Sequence, residues 1–174
     1  RVAAPPPFQD ERVRRAVALV IDRNALLEVA GDTLSGPVGP AFPADALSPD
    51  EIAAHAIYQR HIEAARGLLQ AAGHPDLDVT LTAADSPVSR ALAEAMVGQL
   101  GAAGFRARAI MRTSREWEVA LRAGDFEATL FEAADLRTPD AGLRLHTAVG
   151  VDGGFSPWGY SNPVYDAEVR HALS

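Results

Sequence analysis

A chain of 174 residues, 48% of them hydrophobic, can bury one substantial core. Its net charge of -7, with arginine as its only strong base, argues against a nucleic-acid surface, which needs clustered cations. The absence of cysteine excludes disulfides, thiol nucleophiles and thiolate metal sites, and no run of about eighteen apolar residues is present to span a membrane as a helix.

In chain order, "APPPF" at the start reads as a stiff, extended linker. Asp10 can cap a helix whose apolar side carries Val13, Val17 and Val20 or Ile21. Asp22 and Asn24 interrupt it, and a short helix with Leu26, Leu27 and Ala30 ends at Gly31. "SGPVGPAFP" (35–43) holds too much Gly and Pro for a regular element and reads as a loop of preset shape. Helices are expected over about 48–55 and 58–72, the second with Ile62, Ala65 and Leu69 on one side and Gly73 as its stop.

From there the pattern alternates. "LDVTLT" (77–82) has period two, with Leu77, Val79 and Leu81 on one side. A helix follows with Ser86 as N-cap, Pro87 at its first position, Val88, Leu92, Met96 and Leu100 as its apolar stripe and Gly104 at its stop. "FRARAIM" (105–111) is a strand. "TSRE" (113–116) forms a capping box that opens a helix with Trp117 and Leu121, which stops at Gly124. "FEATLF" (126–131) is a third strand, and Asn162 and Pro163 cap and start the last helix. Strand, helix, strand, helix, strand over 77–131 implies right-handed crossovers between parallel strands, so the expected class is α/β with a mostly parallel sheet flanked by helices.

Ligands of open parallel sheets bind beyond the carboxyl ends of the strands. Three segments fall there: "AADS" (83–86), "RTS" (112–114) and "EAAD" (132–135). Glu132, Asp135 and Arg137 follow a strand that reads as buried. Carboxylates at such a rim suit a cationic partner such as an amine or a guanidinium; equally, they can cap the next turn or pair with Arg137. Phe155, Trp158 and Tyr160 cluster in "GGFSPWGYSNP", as a cleft wall or as core under a long loop. The five histidines, His55, His61, His74, His146 and His171, show no H-x-x-x-H or H-E-x-x-H spacing, so no metal site is expected. No G-x-S-x-G elbow and no Gly-rich phosphate loop is present, so neither an enzyme nor a cofactor is expected.

Several stretches resemble the family 5 extracytoplasmic solute-binding proteins of ABC importers, the dipeptide-, oligopeptide- and nickel-binding type. "PPFQDERVRRAVALVIDRNAL" (6–26) is similar to the family's P-F-x-D-x-x-V-R-x-A pattern and its following I-D-R-x-x-L. Pro7, Phe8, Asp10, Val13, Arg14, Ala16, Ile21, Asp22, Arg23 and Leu26 match, and Val20 replaces the usual Ala. "AARGLLQAAGHPDLDVTLT", "AEAMVGQLGAAGFRARA", "LRAGDFEATLF" and "WGYSNPVYD" resemble further family segments in the same order.

The resemblance implies a periplasmic-binding-protein-like lobe. Residues 1–174 would form a single lobe, the second of a two-lobed clamshell, and 1–9 a hinge-proximal linker. The chain starts without Met and stops inside a helical pattern, so both ends are expected to be cuts in a longer protein. The family's pattern after the third strand resembles W-G-A-D-Y-P-D-P, whose first Asp receives the amino terminus of a peptide ligand. Asp135 holds that position, and Pro139 agrees. Glu132 stands at the Trp position, Leu136 at the Tyr, and Arg137 and Thr138 at the Pro-Asp pair, so the aromatic neighbours are replaced.

The expected ligand-binding residues are therefore Asp135, Glu132, Arg137, Phe155, Trp158 and Tyr160. The expected partners are a peptide or small-molecule ligand and an ABC transporter permease, with no nucleic acid. The membrane would be reached only through the permease or a lipid anchor, in a periplasmic or extracytoplasmic setting. A solute-sensing or scaffold domain of the same fold is the alternative.

Overall fold

A computed structural model describes residues 6–31, 36, 38–39, 41–131 and 161–172. Helix α1 (Glu11–Val20) starts at Asp10, whose carboxylate accepts the Arg12 backbone N–H at 2.8 Å. It buries Val13, Ala16 and Val20, with Ile21 buried just beyond its end. Val17 is only half-buried, because the helix turns its small Ala16 inward. Helix α2 (Arg23–Ala30) is capped by Asp22 and ends at Gly31. Helix α3 (Pro49–Ala54) opens with a full capping box between Ser48 and Glu51.

The helix expected over 58–72 is divided in two. A 3-10 turn covers Ala56–Tyr58, and helix α4 runs Ile62–Ala71. The break has a tertiary cause. The His61 N–H donates to the Leu19 carbonyl at 2.8 Å and Arg60 Nε to the Val20 carbonyl at 3.1 Å, so the chain is drawn onto the end of α1. At the other end Arg12 Nη1 donates to the Ala71 carbonyl at 2.6 Å, which clasps α1 and α4 antiparallel.

Strands β1 (Asp78–Ala84), β2 (Arg106–Arg112) and β3 (Ala128–Thr129) form a parallel sheet in the order β2-β1-β3. Asp78 to Ala84 align with Arg106 to Arg112 residue by residue, while Leu81 and Thr82 align with Ala128 and Thr129. Helix α5 (Pro87–Gly101) links β1 to β2, and α6 (Ser114–Ala123) links β2 to β3. The first crossover steps from β1 to β2 and the second steps back past β1 to β3, and crossovers of one hand that step in opposite directions place their helices on opposite faces. The side chains agree with this. Ala128 packs against the main core, whereas Thr129 meets Trp117 of α6.

That core gathers Val13, Ala16 and Val20 of α1, Ala65 and Leu69 of α4, and Val79, Leu100 and Phe105 around the sheet. Helix α5 lies differently from its most apolar stripe. Its buried residues are Ser89, Ala93 and Leu100, while Val88 is 46% exposed and Leu92 and Met96 are half-buried. Small side chains at 89 and 93 allow the close approach that a stripe of larger ones would prevent.

Strand β3 pairs over two residues, not the six expected. The Glu127 carboxylate accepts the Thr80 backbone N–H at 2.6 Å and so occupies a donor that a longer β3 would have used. Between α5 and β2, Gly104 has φ +99, and a Cβ there would lie 2.8 Å from the Pro75 carbonyl oxygen, so only glycine fits without strain. Helix α7 (Pro163–Ala172) begins after Asn162, whose side-chain oxygen accepts the Val164 and Tyr165 N–H groups, and it buries Asp166 and Val169.

Candidate functional site

The carboxyl ends of the three strands make one rim. There the Asp85 N–H donates to the Arg112 carbonyl at 2.7 Å, continuing the ladder one step past β1. Two helices start at this edge. Ser86 caps α5, accepting the Ser89 N–H at 3.0 Å, and its hydroxyl also bonds the Ser89 hydroxyl at 2.8 Å. Thr113 caps α6 through the expected box: its hydroxyl accepts the Glu116 N–H at 3.3 Å, and the Glu116 carboxylate accepts the Thr113 N–H at 3.0 Å. The Thr113 hydroxyl and backbone donors together hold the Glu116 carboxyl below its ordinary pKa.

Two arginines that stem from this edge are paired, one with a carboxylate at the edge and one with a carboxylate that precedes β3. Arg90 Nη2 donates to Asp85 at 2.6 Å, and Arg112 Nη1 to Asp125 at 3.2 Å. Such exposed pairs contribute roughly 0–1 kcal/mol each, so they set local polarity more than stability. The third side of the rim is aromatic. The Trp117 indole N–H donates to the Thr129 hydroxyl at 3.0 Å, and that hydroxyl donates to the Thr82 carbonyl at 2.9 Å. The Leu130 N–H reaches the same carbonyl at 2.9 Å. The Trp117 and Phe131 rings lie 5.9 Å apart at 35°. Both are half-buried, so part of this aromatic surface stays open at the point where the chain enters 132–137.

Of the sequence-predicted site residues, Glu132, Asp135, Arg137, Phe155, Trp158 and Tyr160 lie outside the described residues, as does part of the 35–43 loop. The structure places Phe131, which precedes them in the chain, and the other two strand ends of the rim, Arg112 to Ser114 and Ala83 to Ser86. Trp117 is the rim residue the sequence reading passed over, since it stood there only as an apolar position of α6. The available signal was its place one turn inside a capped helix that starts at the strand ends. Among the described residues, no group of three or more His, Asp or Glu could hold a metal ion, and no helix is long and apolar enough to cross a membrane.

Residues 3–154 match the family model described as bacterial extracellular solute-binding proteins, family 5 Middle. The chain belongs to this family. Among solved structures, the fold of this chain is similar to that of the Escherichia coli murein tripeptide binding protein MppA, at 22% identity and TM-score 0.73, over 97% of this chain and 34% of that one. A periplasmic oligopeptide-binding protein from Borrelia burgdorferi matches at 22% identity and TM-score 0.78, with the same coverage. NikA from Staphylococcus aureus, solved in complex with Ni(L-His)2, matches at 17% identity and TM-score 0.74, over 94% of this chain and 35% of its own. The chain thus spans about a third of the length of each. No curated protein sequence matches it.

Proposed function

We propose that this chain is the second lobe of a two-lobed, extracytoplasmic family 5 protein that captures a peptide or another amine-bearing solute and delivers it to an ABC importer. No bond is made or broken; the work is binding. Closure of the lobes would follow from contacts that the solute makes with both lobes only in the closed state, and so from a population shift. The permease would be the membrane partner.

The observation that carries this reading is the rim itself, in a chain of this family. β3 leaves the sheet at its carboxyl edge beside the Trp117–Phe131 surface, and the next residues are Glu132 to Arg137. Asp135 would receive the cationic group, Glu132 and Arg137 would tune selectivity, and Phe155, Trp158 and Tyr160 would line the wall. Trp117 and Phe131 supply apolar surface where the family's aromatic residues are replaced.

The test is a thermal-shift screen of the full-length protein against di- and oligopeptides, cationic amino acids, opines, sugars and nickel chelates. A ligand of the native state raises the melting point by mass action. In Asp135→Ala the hit should weaken tenfold or more, since truncating one partner of a buried charge pair costs about 2–5 kcal/mol. Unchanged affinity in that variant removes Asp135 from the site, and silence across the panel with folded protein removes the reading.

A further inference from the structure

A second concave surface lies well away from the rim. It is a cleft of about 620 Å³ between the start of α2, helix α3 and the 3-10 turn, lined by Asp22, Arg23, Pro49, Ile52, Tyr58 and Arg60 among others. Its position follows from Asp22. The Asp22 N–H donates to Gln99 Oε1 at 2.8 Å, and Gln99 Nε2 donates back to the Asp22 carbonyl at 3.3 Å. Gln99 stands in the last turn of α5, whose first turn is at the rim. Fifteen helical residues span ~20 Å, so the cleft belongs to the opposite, amino-terminal side of the sheet.

Two guanidinium groups face this cleft on an acidic chain. Arg23 is half-buried, and its guanidinium stands over the Tyr58 ring, 5.1 Å from the centroid. Its Nη1 donates to the Ala18 and Ile21 carbonyls at 3.2 and 3.4 Å. Arg60 uses its Nε on the Val20 carbonyl. Among the described residues, neither has a carboxylate within ion-pair distance. Arg23 Nε and Nη2, and both Nη groups of Arg60, have no protein acceptor there. The nearby Asp22 carboxylate is engaged as the cap of α2, accepting the Ala25 N–H at 3.1 Å. Burial disfavours the charged form of Arg23 and lowers its pKa, an effect the Tyr58 oxygen opposes. A guanidinium nevertheless stays protonated in proteins.

With Nη1 held by backbone carbonyls, Arg23 keeps its Nε–Nη2 edge for another acceptor, and such an edge matches the two oxygens of a carboxylate or phosphate. The cleft volume lies within the usual range for small-ligand sites, and Pro49, Ile52 and Tyr58 add an apolar wall. We propose that this cleft is a second binding site, which takes a small oxyanion, carboxylate or phosphate, carried on an apolar body. The oxyanion bridges Arg23 and Arg60, and the apolar part lies along Tyr58 and Pro49.

Saturation-transfer NMR on the full-length protein in about 0.15 M salt, where diffuse attraction is screened, tests this. The probes are phenyl phosphate and benzoate, with benzyl alcohol as the neutral analogue. Both anions should bind and benzyl alcohol should not. Arg23→Gln and Arg60→Gln should each weaken phenyl phosphate binding about tenfold, as expected for loss of a charged hydrogen-bond partner. Arg23 also ties the end of α1, so Arg23→Gln can fail to fold. Arg60 makes one such tie, to the Val20 carbonyl, from an exposed side chain, so Arg60→Gln, with its melting point read beside its affinity, then decides. No binding of either anion, equal binding of benzyl alcohol, or unchanged affinity in Arg60→Gln overturns the proposal.

Discussion

The Trp117 indole donates to the Thr129 hydroxyl across 3.0 Å and so fastens the second turn of α6 to the end of β3. The same hydroxyl donates a hydrogen bond to the Thr82 carbonyl of the central strand, so one side chain joins a helix and two strands at the rim. In Trp117→Phe the ring surface against Phe131 is largely kept and the donor is lost. Stability of the full-length protein should fall by about 1 kcal/mol, read as a shift in the urea midpoint. Solute affinity should weaken with it, because β3's exit into 132–137 is less firmly held. Loss of stability with unaltered affinity would assign Trp117 to structure alone.

Gly104 combines a positive φ with a carbonyl oxygen that an added Cβ would meet at 2.8 Å. Gly104→Ala should therefore destabilise by about 1–3 kcal/mol, more than an ordinary surface substitution. Thermal denaturation checks this. Gly67→Ala is the comparison, since a Cβ there meets nothing within 4 Å and the site is in the middle of α4. That variant should hold or raise the melting point.

The Thr113–Glu116 box starts α6 at the rim. Thr113→Ala removes the hydroxyl that accepts the Glu116 N–H and should cost about 1 kcal/mol. Thr113→Ser keeps that acceptor and should restore most of the loss in the same denaturation experiment.

Asp10 carries the clearest pH signature. The Arg12 side chain and backbone N–H bond its carboxylate, and its pKa is lowered to about 2 from 3.8. In this window the unfolded chain binds the proton more readily, so the stabilisation is full above the unfolded value and is lost as pH falls from about 4 to 2. Asp78, Glu51 and Glu116 are shifted the same way. The wild-type curve therefore sums several groups, and the comparison with Asp10→Asn isolates this one. The variant's urea midpoint should fall less steeply between pH 4 and 2. Equal slopes would mean that ionisation of Asp10 contributes nothing to the native state.

The sequence by itself determined the elements whose signals are local. Asp10, Ser86 and Thr113 cap helices because a side-chain oxygen three residues or fewer from an orphan N–H needs no tertiary partner. Leu77, Val79 and Leu81 alternate as a strand does, and the intervening helices forced a parallel sheet. Residue types and a family pattern carry the expectation for 132–137, which lies outside the described residues. The tertiary structure decided the rest. Strand β3 begins only at Ala128 because Glu127 reaches across to Thr80. The helix expected at 58 starts at Ile62 because α1 captures His61 and Arg60. Helix α5 turns Ser89 and Ala93 inward because a sheet admits a helix most closely over small residues. Arg23 and Arg60 line one cleft although thirty-seven positions separate them in the chain. In each case the deciding partner is remote in sequence, and periodicity reports only what neighbours along the chain can do.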